Sequence, residues 1–103
     1  MKGMNDLLRQ AQVMQNKMAK LQEELGERQV EAASGGGMVK VVCSGKQELI
    51  SISIEKDAVD PNDVEMLQDL VLTAVNEGMR LSREMVEREM GSITGGMKIP
   101  GLF

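Results

Sequence analysis

Val39-Lys40-Val41-Val42-Cys43-Ser44-Gly45-Lys46-Gln47-Glu48-Leu49-Ile50-Ser51-Ile52-Ser53-Ile54-Glu55 is the stretch that decides the fold. Val39, Val41 and Cys43 alternate with Lys40, Val42 and Ser44; Ile50, Ile52 and Ile54 alternate with Ser51, Ser53 and Glu55. Successive side chains of a strand point to opposite faces, so each run predicts a strand with one buried face. Ser44-Gly45-Lys46-Gln47 between them predicts a hairpin turn. Upstream, Arg28-Gln29-Val30-Glu31-Ala32-Ala33 reads as a weaker strand, joined to the next through Ser34-Gly35-Gly36-Gly37. The expectation is a three-stranded antiparallel meander over residues 27–56.

Outside this segment the period changes. Met4, Leu7, Ala11, Met14, Met18, Leu21 and Leu25 are spaced alternately three and four apart, the seam of helix packing. Gly26 suits a C-cap, so the first helix is placed before it. Such a helix runs about 34 Å, against a radius of gyration of about 13 Å for a compact domain of this size. That seam asks for more partner surface than one small copy offers, which predicts an oligomer, most simply a twofold homodimer. On the other side Asp60-Pro61-Asn62-Asp63 opens a second helix, with Asp60 as N-cap and Pro61 as first helical residue. Val64, Leu67, Val71, Ala74, Gly78, Leu81 and Met85 repeat the seam spacing, and Val75, Met79, Val86 and Met90 widen it. Gly78 costs a helix interior about 1 kcal/mol relative to Ala unless a close backbone approach offsets it. The helix is expected to end near Met90-Gly91. A Gly-rich tail with Pro100 follows, expected to be irregular or mobile and anchored by Leu102 and Phe103. The fold class is α+β in a single domain, residues 1–103: helix 1–26, sheet 27–56, helix 60–91, tail 92–103.

Composition narrows the function. The chain has 103 residues, no His, Trp or Tyr, one Phe and one Cys. Without His there is no imidazole acid–base chemistry and no imidazole metal ligand. One Cys excludes a disulfide framework, a four-cysteine zinc site and a CxxC pair. A lone aromatic, Phe103, argues against recognition by stacking bases. The inventory reads as neither an enzyme nor a zinc finger, and no cofactor is expected. No window approaches 18 apolar residues, Asp6 and Arg9 interrupt any signal-peptide core, and Lys2 stands where myristoylation needs Gly. The expectation is a soluble cytoplasmic protein without membrane contact.

Several segments together resemble the bacterial nucleoid-associated YbaB/EbfC family. They are Ser34-Gly35-Gly36-Gly37-Met38-Val39-Lys40-Val41, Ile54 through Asp60-Pro61, and Glu65-Met66-Leu67-Gln68-Asp69-Leu70-Val71. Ala74-Val75-Asn76-Glu77 and the close Gly95-Gly96-Met97 with Pro100-Gly101-Leu102-Phe103 complete them. No one piece is diagnostic; their order and spacing are, and they run nearly end to end. Gly78 departs from the pattern, where the family usually has Ala. The resemblance implies a tweezer-like homodimer with the sheets at its core and helices projecting. It implies binding to double-stranded DNA with modest sequence preference, a place in the nucleoid, a role in nucleoid organisation and gene regulation, and no catalysis.

The charge of the whole chain speaks against DNA: −4 net, from 12 basic and 16 acidic residues. Its distribution does not. Residues 1–20 carry Lys2, Arg9, Lys17 and Lys20 against Asp6 alone, whereas residues 57–103 carry four basic residues against nine acids. Lys2, Arg9, Asn16 and Lys20 lie off the apolar seam along one helix face, with Lys17 beside them, a candidate strip for phosphates. A solvated helix face explains the same residues. Arg80 and Arg83 on the second helix are further DNA candidates, although Arg83–Glu87 and Glu84–Arg88 have the spacing of helix ion pairs. Lys40 and Lys46 read as outward strand charges protecting an edge.

Other motifs dissolve on inspection. Gly35-Gly36-Gly37 precedes a strand and fails the GxGxxG spacing at Lys40; Gly45-Lys46 lacks the rest of a P-loop. Asp57, Asp60 and Asp63 lack EF-hand spacing. Cys43 shares a face with Val39 and Val41 and reads as a buried, inert thiol. The ten Met residues fill seams where aromatics are missing, or form a soft surface for a protein partner. The competing functional reading is accordingly a protein–protein interaction dimer with only incidental DNA contact.

Overall fold

The computed structural model describes residues 2–94, with side chains over residues 3–92. Its order is α1 (Lys2–Glu27), β1 (Gln29–Ser34), β2 (Val39–Ser44), β3 (Leu49–Ile54) and α2 (Val64–Thr94). The strands form one antiparallel sheet in the order β1-β2-β3. The α+β architecture and the meander are those the residue pattern predicts. The helix does not end near Met90-Gly91 as expected: α2 runs on through Thr94, and residues 95–103 of the expected tail, with Leu102 and Phe103, lie outside the described residues.

α2 crosses one face of the sheet, over β1 and β2. Ala32, Val39, Val41 and Cys43 of the sheet are buried with Ala74 of the helix, and Leu67, Leu70, Val71, Val75 and Met79 pack around them. Side-chain hydrogen bonds among the described residues tie the helix to the sheet and its hairpin turn. Ser34 Oγ donates to the Leu70 carbonyl (2.6 Å), Gln47 Nε2 to the Met79 carbonyl (3.0 Å) and Ser82 Oγ to the Ser44 carbonyl (2.6 Å). Gly78 lies at the tightest crossing. A Cβ there would stand 2.7 Å from Cys43 Sγ and 3.0 Å from Val41 Cγ2, so a close approach offsets its propensity cost.

The turns follow their residues. Gly35, Gly36 and Gly37 all take positive φ, and at Gly35 a Cβ would also meet Leu70 Cδ2 at 2.8 Å. In the hairpin, Ser44 accepts from the Gln47 amide (3.0 Å), and Gln47 itself has φ 65. Its left-handed backbone is secured by the side-chain bond to Met79.

The start of α2 corrects the sequence expectation. Asp60 is not the N-cap: its Oδ1 accepts from the Asn62 amide (2.9 Å) and its carbonyl from the Asp63 amide (2.9 Å), a turn ahead of the helix. Asp63 caps, accepting from the Met66 amide (3.2 Å). Gly26 likewise is no left-handed cap. It is buried inside the last turn of α1, against the Lys46 side chain.

β3 also departs from expectation. Ile52 pairs with Val41 and Ile54 with Val39, so both share the α2-facing side. Yet Leu49, Ile50, Ile52 and Ile54 are 39–49% exposed. The helix lies over the other two strands, and a bulge between Val42 and Cys43 shifts the pairing so that Leu49 faces Cys43. The predicted buried face of β3 is bare in the single copy.

Candidate nucleic-acid interface

The candidate interface is built on α1, and its placement starts at the hairpin. Gly45 donates to the Arg28 carbonyl (2.9 Å), and a Cβ on Gly45 would sit 1.9 Å from the Leu25 carbonyl oxygen. Only glycine lets the end of α1 abut the β2–β3 turn this closely. Ser82 meets Ser44 at the same end of the sheet, so α1 and α2 leave that end side by side and antiparallel. Met18 and Leu25 of α1 are buried with Met90 of α2, with Leu21 and Val86 packed against them. Arg28 pairs with Glu89 at 3.5 Å across the same junction.

Past Met18 the packing stops. Met4, Leu7 and Leu8 are 62–63% exposed and Met14 46%. The molecule measures 75 × 19 × 17 Å, with a radius of gyration of 19.6 Å, well above the roughly 13 Å of a compact chain of this length. The N-terminal half of α1 is therefore a projecting arm.

Arg9, Asn16, Lys17 and Lys20 are all exposed on this arm. At about 100° per residue, Lys2, Arg9, Asn16 and Lys20 fall within about 40° of one another, opposite the apolar seam; Lys17 lies about 60° to one side. Arg9 and Lys20 are about 16 Å apart along the axis, the rise of about five base pairs. Arg9 Nη2 donates to Asp6 at 2.6 Å, a pair with side chains 76% and 55% exposed. Such a pair holds its guanidinium weakly and leaves it exchangeable toward a phosphate. Among the described residues no ion pair engages Lys17 or Lys20. The Lys2 side chain lies outside the described ones.

On α2 the two arginines differ. Arg80 Nε donates to Glu77 (3.0 Å), Nη1 to Glu84 (2.6 Å), and Nη2 also to Glu77. These contacts raise its pKa further and, through the same hydrogen bond, hold the Glu77 carboxyl below its ordinary range. Arg83 is exposed, with no ion pair among the described residues. The expected pairs Arg83–Glu87 and Glu84–Arg88 do not form; Glu84 turns back to Arg80 instead. No hydrogen bond or ion pair among the described residues joins the α1 strip to Arg80 or Arg83.

Sequence reasoning missed one role. Lys46 lays its stem over Gly26, with Cγ 2.9 Å from where a Cβ would stand, at the C-terminal end of α1. That last turn contains no basic residue of its own. A cation on this stem lies near the negative end of the helix macrodipole, where positive charge is favoured. The acid run at 23–27 in the sequence was the available signal.

Cys43 is fully buried, and burial pushes its thiol pKa up, away from reactivity. Among the described residues no group of acidic or Cys side chains is placed to hold a metal ion, and no helix is long and apolar enough to cross a membrane.

Residues 1–97 match the sequence model of the YbaB/EbfC DNA-binding family. A nucleoid-associated protein of Desulforamulus reducens is 65% identical over 101 residues, covering 98% of this chain and 96% of its own. One of Pelotomaculum thermopropionicum is 54% identical over the same length, again with 98% and 96% covered. In three dimensions the chain is similar to the crystal structure of an uncharacterized Helicobacter pylori protein. The TM-score is 0.74 at 26% identity, over 86% of this chain and 94% of that one.

Proposed function

The chain belongs to the YbaB/EbfC DNA-binding family, and from that premise we propose that it is a nucleoid-associated protein binding double-stranded DNA as a homodimer, chiefly through backbone phosphates. The observation that carries this is the projecting arm of α1, with exposed Arg9, Asn16, Lys17 and Lys20 along it. Lys2 extends the strip, and Arg83 adds a cation on α2. Arg80 contributes less, because Glu77 and Glu84 occupy its donors. Screening over about 8 Å at physiological salt makes a local cluster of cations count for more than the −4 net charge.

The bare apolar residues of β3 support the homodimer. A second copy over Ile52 and Ile54 covers them and sets two arms about a twofold axis. The two strips then meet two stretches of duplex backbone. The activity is reversible binding, with DNA coated or bridged in the cytoplasmic nucleoid and transcription altered by occupancy. Few amide and guanidinium groups are free for groove edges, so sequence readout is modest.

The test is fluorescence anisotropy of a labelled duplex across a salt series, on protein sized by light scattering. With about four to six phosphates engaged, log K falls against log salt with a slope of about −4 to −5. Arg9→Glu with Lys20→Glu weakens binding on a folded dimer. Unchanged binding by that variant removes α1 from the mechanism. No binding by the parent at low salt favours the protein-interaction dimer.

A further inference from the structure

The apolar seam of α1 meets α2 at Met18, Leu21 and Leu25, where Val86 and Met90 pack against it. Toward the tip of the arm Met4, Leu7 and Leu8 stand 62–63% exposed, with Ala11 exposed beside them. They form one apolar patch on the order of 300–400 Å², the size that marks a contact surface. We infer that the arms of two different homodimers pair antiparallel along Met4, Leu7, Leu8 and Ala11, with their cationic strips facing outward, so that each pair of arms holds two duplexes. The arm contact stands on α1 alone; the bridging of duplexes rests on the DNA-binding reading above.

The patch fits a second copy of itself. With a twofold axis level with the space between Leu7 and Leu8, Met4 lies opposite the partner's Ala11, and Leu7 opposite the partner's Leu8. Large side chains then meet small ones at the ends, and leucines meet at the centre. The residues flanking the patch, Gly3, Gln10, Gln12 and Met14, carry no charge, so identical arms meet without like charges opposed.

The direction of pairing is set by α2, which occupies the seam side of α1 from Met18 to Leu25. Paired helices stand about 8–10 Å apart, and a parallel pair drives both copies of α2 into that one gap. An antiparallel pair keeps the two copies of α2 at opposite ends. It also sets the two hairpins about 55 Å apart along the arms. A copy so placed cannot be the one that lies over Ile52 and Ile54. The arm partner therefore belongs to another homodimer.

The functional consequence lies in the opposite faces of α1. Arg9, Asn16 and Lys20 point away from the seam, so arms joined seam to seam turn their strips in opposite directions and cannot grip one duplex together. Each homodimer carries two arms, and pairing continues from dimer to dimer. Two such patches bury on the order of 600–800 Å², about half of a standard interface. Free dimers pair weakly, and DNA that gathers them raises their effective concentration.

Two measurements on the full chain test this. The first needs no DNA: Leu8→Cys and Met4→Cys proteins are oxidised mildly at matched concentration. Leu8 of each copy lies beside the axis, whereas the two copies of Met4 are about 10 Å apart along it. Leu8→Cys is expected to form an interchain disulfide at least about tenfold faster than Met4→Cys, giving a species above homodimer mass. Equal rates overturn antiparallel pairing, and a cross-linked species of homodimer mass overturns pairing between dimers. The second measures retention of a labelled duplex by an immobilised one. The uncharged variant Leu7→Gln with Leu8→Gln is expected to retain about tenfold less, with single-duplex affinity by anisotropy within about twofold of the parent. Equal retention by variant and parent overturns bridging through the arms, as does a loss of single-duplex affinity that accounts for the loss of retention. A parent that binds no duplex at all fails the DNA-binding reading instead, and the cross-linking rates still decide the arm contact.

Discussion

Cys43 Sγ occupies the space that a Cβ on Gly78 would need, at 2.7 Å. The pair sets how closely α2 approaches the sheet. Gly78→Ala gains about 1 kcal/mol of helix propensity but loses about 1–3 kcal/mol to overpacking, for a net destabilisation. In the Cys43→Ala background part of that clash is gone. Urea denaturation of the double-mutant cycle should return a favourable coupling of about 1 kcal/mol. Simple additivity would mean that the sheet shifts to absorb the methyl group.

Gly45 is the harder constraint, because its neighbour is backbone. A Cβ 1.9 Å from the Leu25 carbonyl oxygen cannot be accommodated by rotating a side chain. Gly45→Ala should therefore cost about 3 kcal/mol or more. Gly26→Ala, which meets only the flexible Lys46 stem, should cost under about 1 kcal/mol. Thermal melts of the two variants compare them directly.

Ile52 faces the α2 side of the sheet yet is 43% exposed. Ile52→Glu leaves the single-copy core intact and places a charge in the proposed dimer face. Light scattering should show a fall to monomer mass, with helix content by circular dichroism unchanged. A dimer that survives this substitution does not use β3.

Arg80 and Arg83 test whether the cations of α2 serve the helix or DNA. Arg83→Ala should flatten the salt dependence of DNA binding by about one unit of slope. Arg80→Ala should leave that slope within about half a unit and lower helix stability instead. The reverse ranking would show that phosphate displaces Glu77 and Glu84 from Arg80.

The Glu77–Arg80 pair also carries a pH signature. Arg80 holds the Glu77 carboxyl below its unfolded value, so the folded state binds fewer protons in the acid range. Its stabilising contribution is complete above the unfolded value of about 4.3 and is lost as pH falls through the folded one. Wild type should exceed Glu77→Gln in stability near neutral pH. The gap should begin to narrow as pH falls below about 4.3 and shrink further in more acid solution, read by urea titration at each pH.

Alternation at Val39–Cys43 and Ile50–Ile54, the seam spacing from Met4 to Leu25, and the turn residues at 34–37 and 44–47 determined the elements and their order. Those signals are local, carried by side-chain period and by backbone conformations few residues adopt. Which acid caps α2 was not legible, since Asp60 and Asp63 both suit a cap and the Pro61 turn decides between them. Nor was the fate of Arg80, whose choice of Glu77 and Glu84 over other acids rests on rotamers. Cationic character on α1 was readable because charge and helical period lie in the sequence. Only the tertiary structure decided that α2 covers β1 and β2 but not β3, and that α1 leaves its partner at Met18 to stand out as an arm. Both follow from contacts between segments tens of residues apart. Gly78 against Cys43 and Gly45 against Leu25 set those distances, and no periodicity within either segment records them.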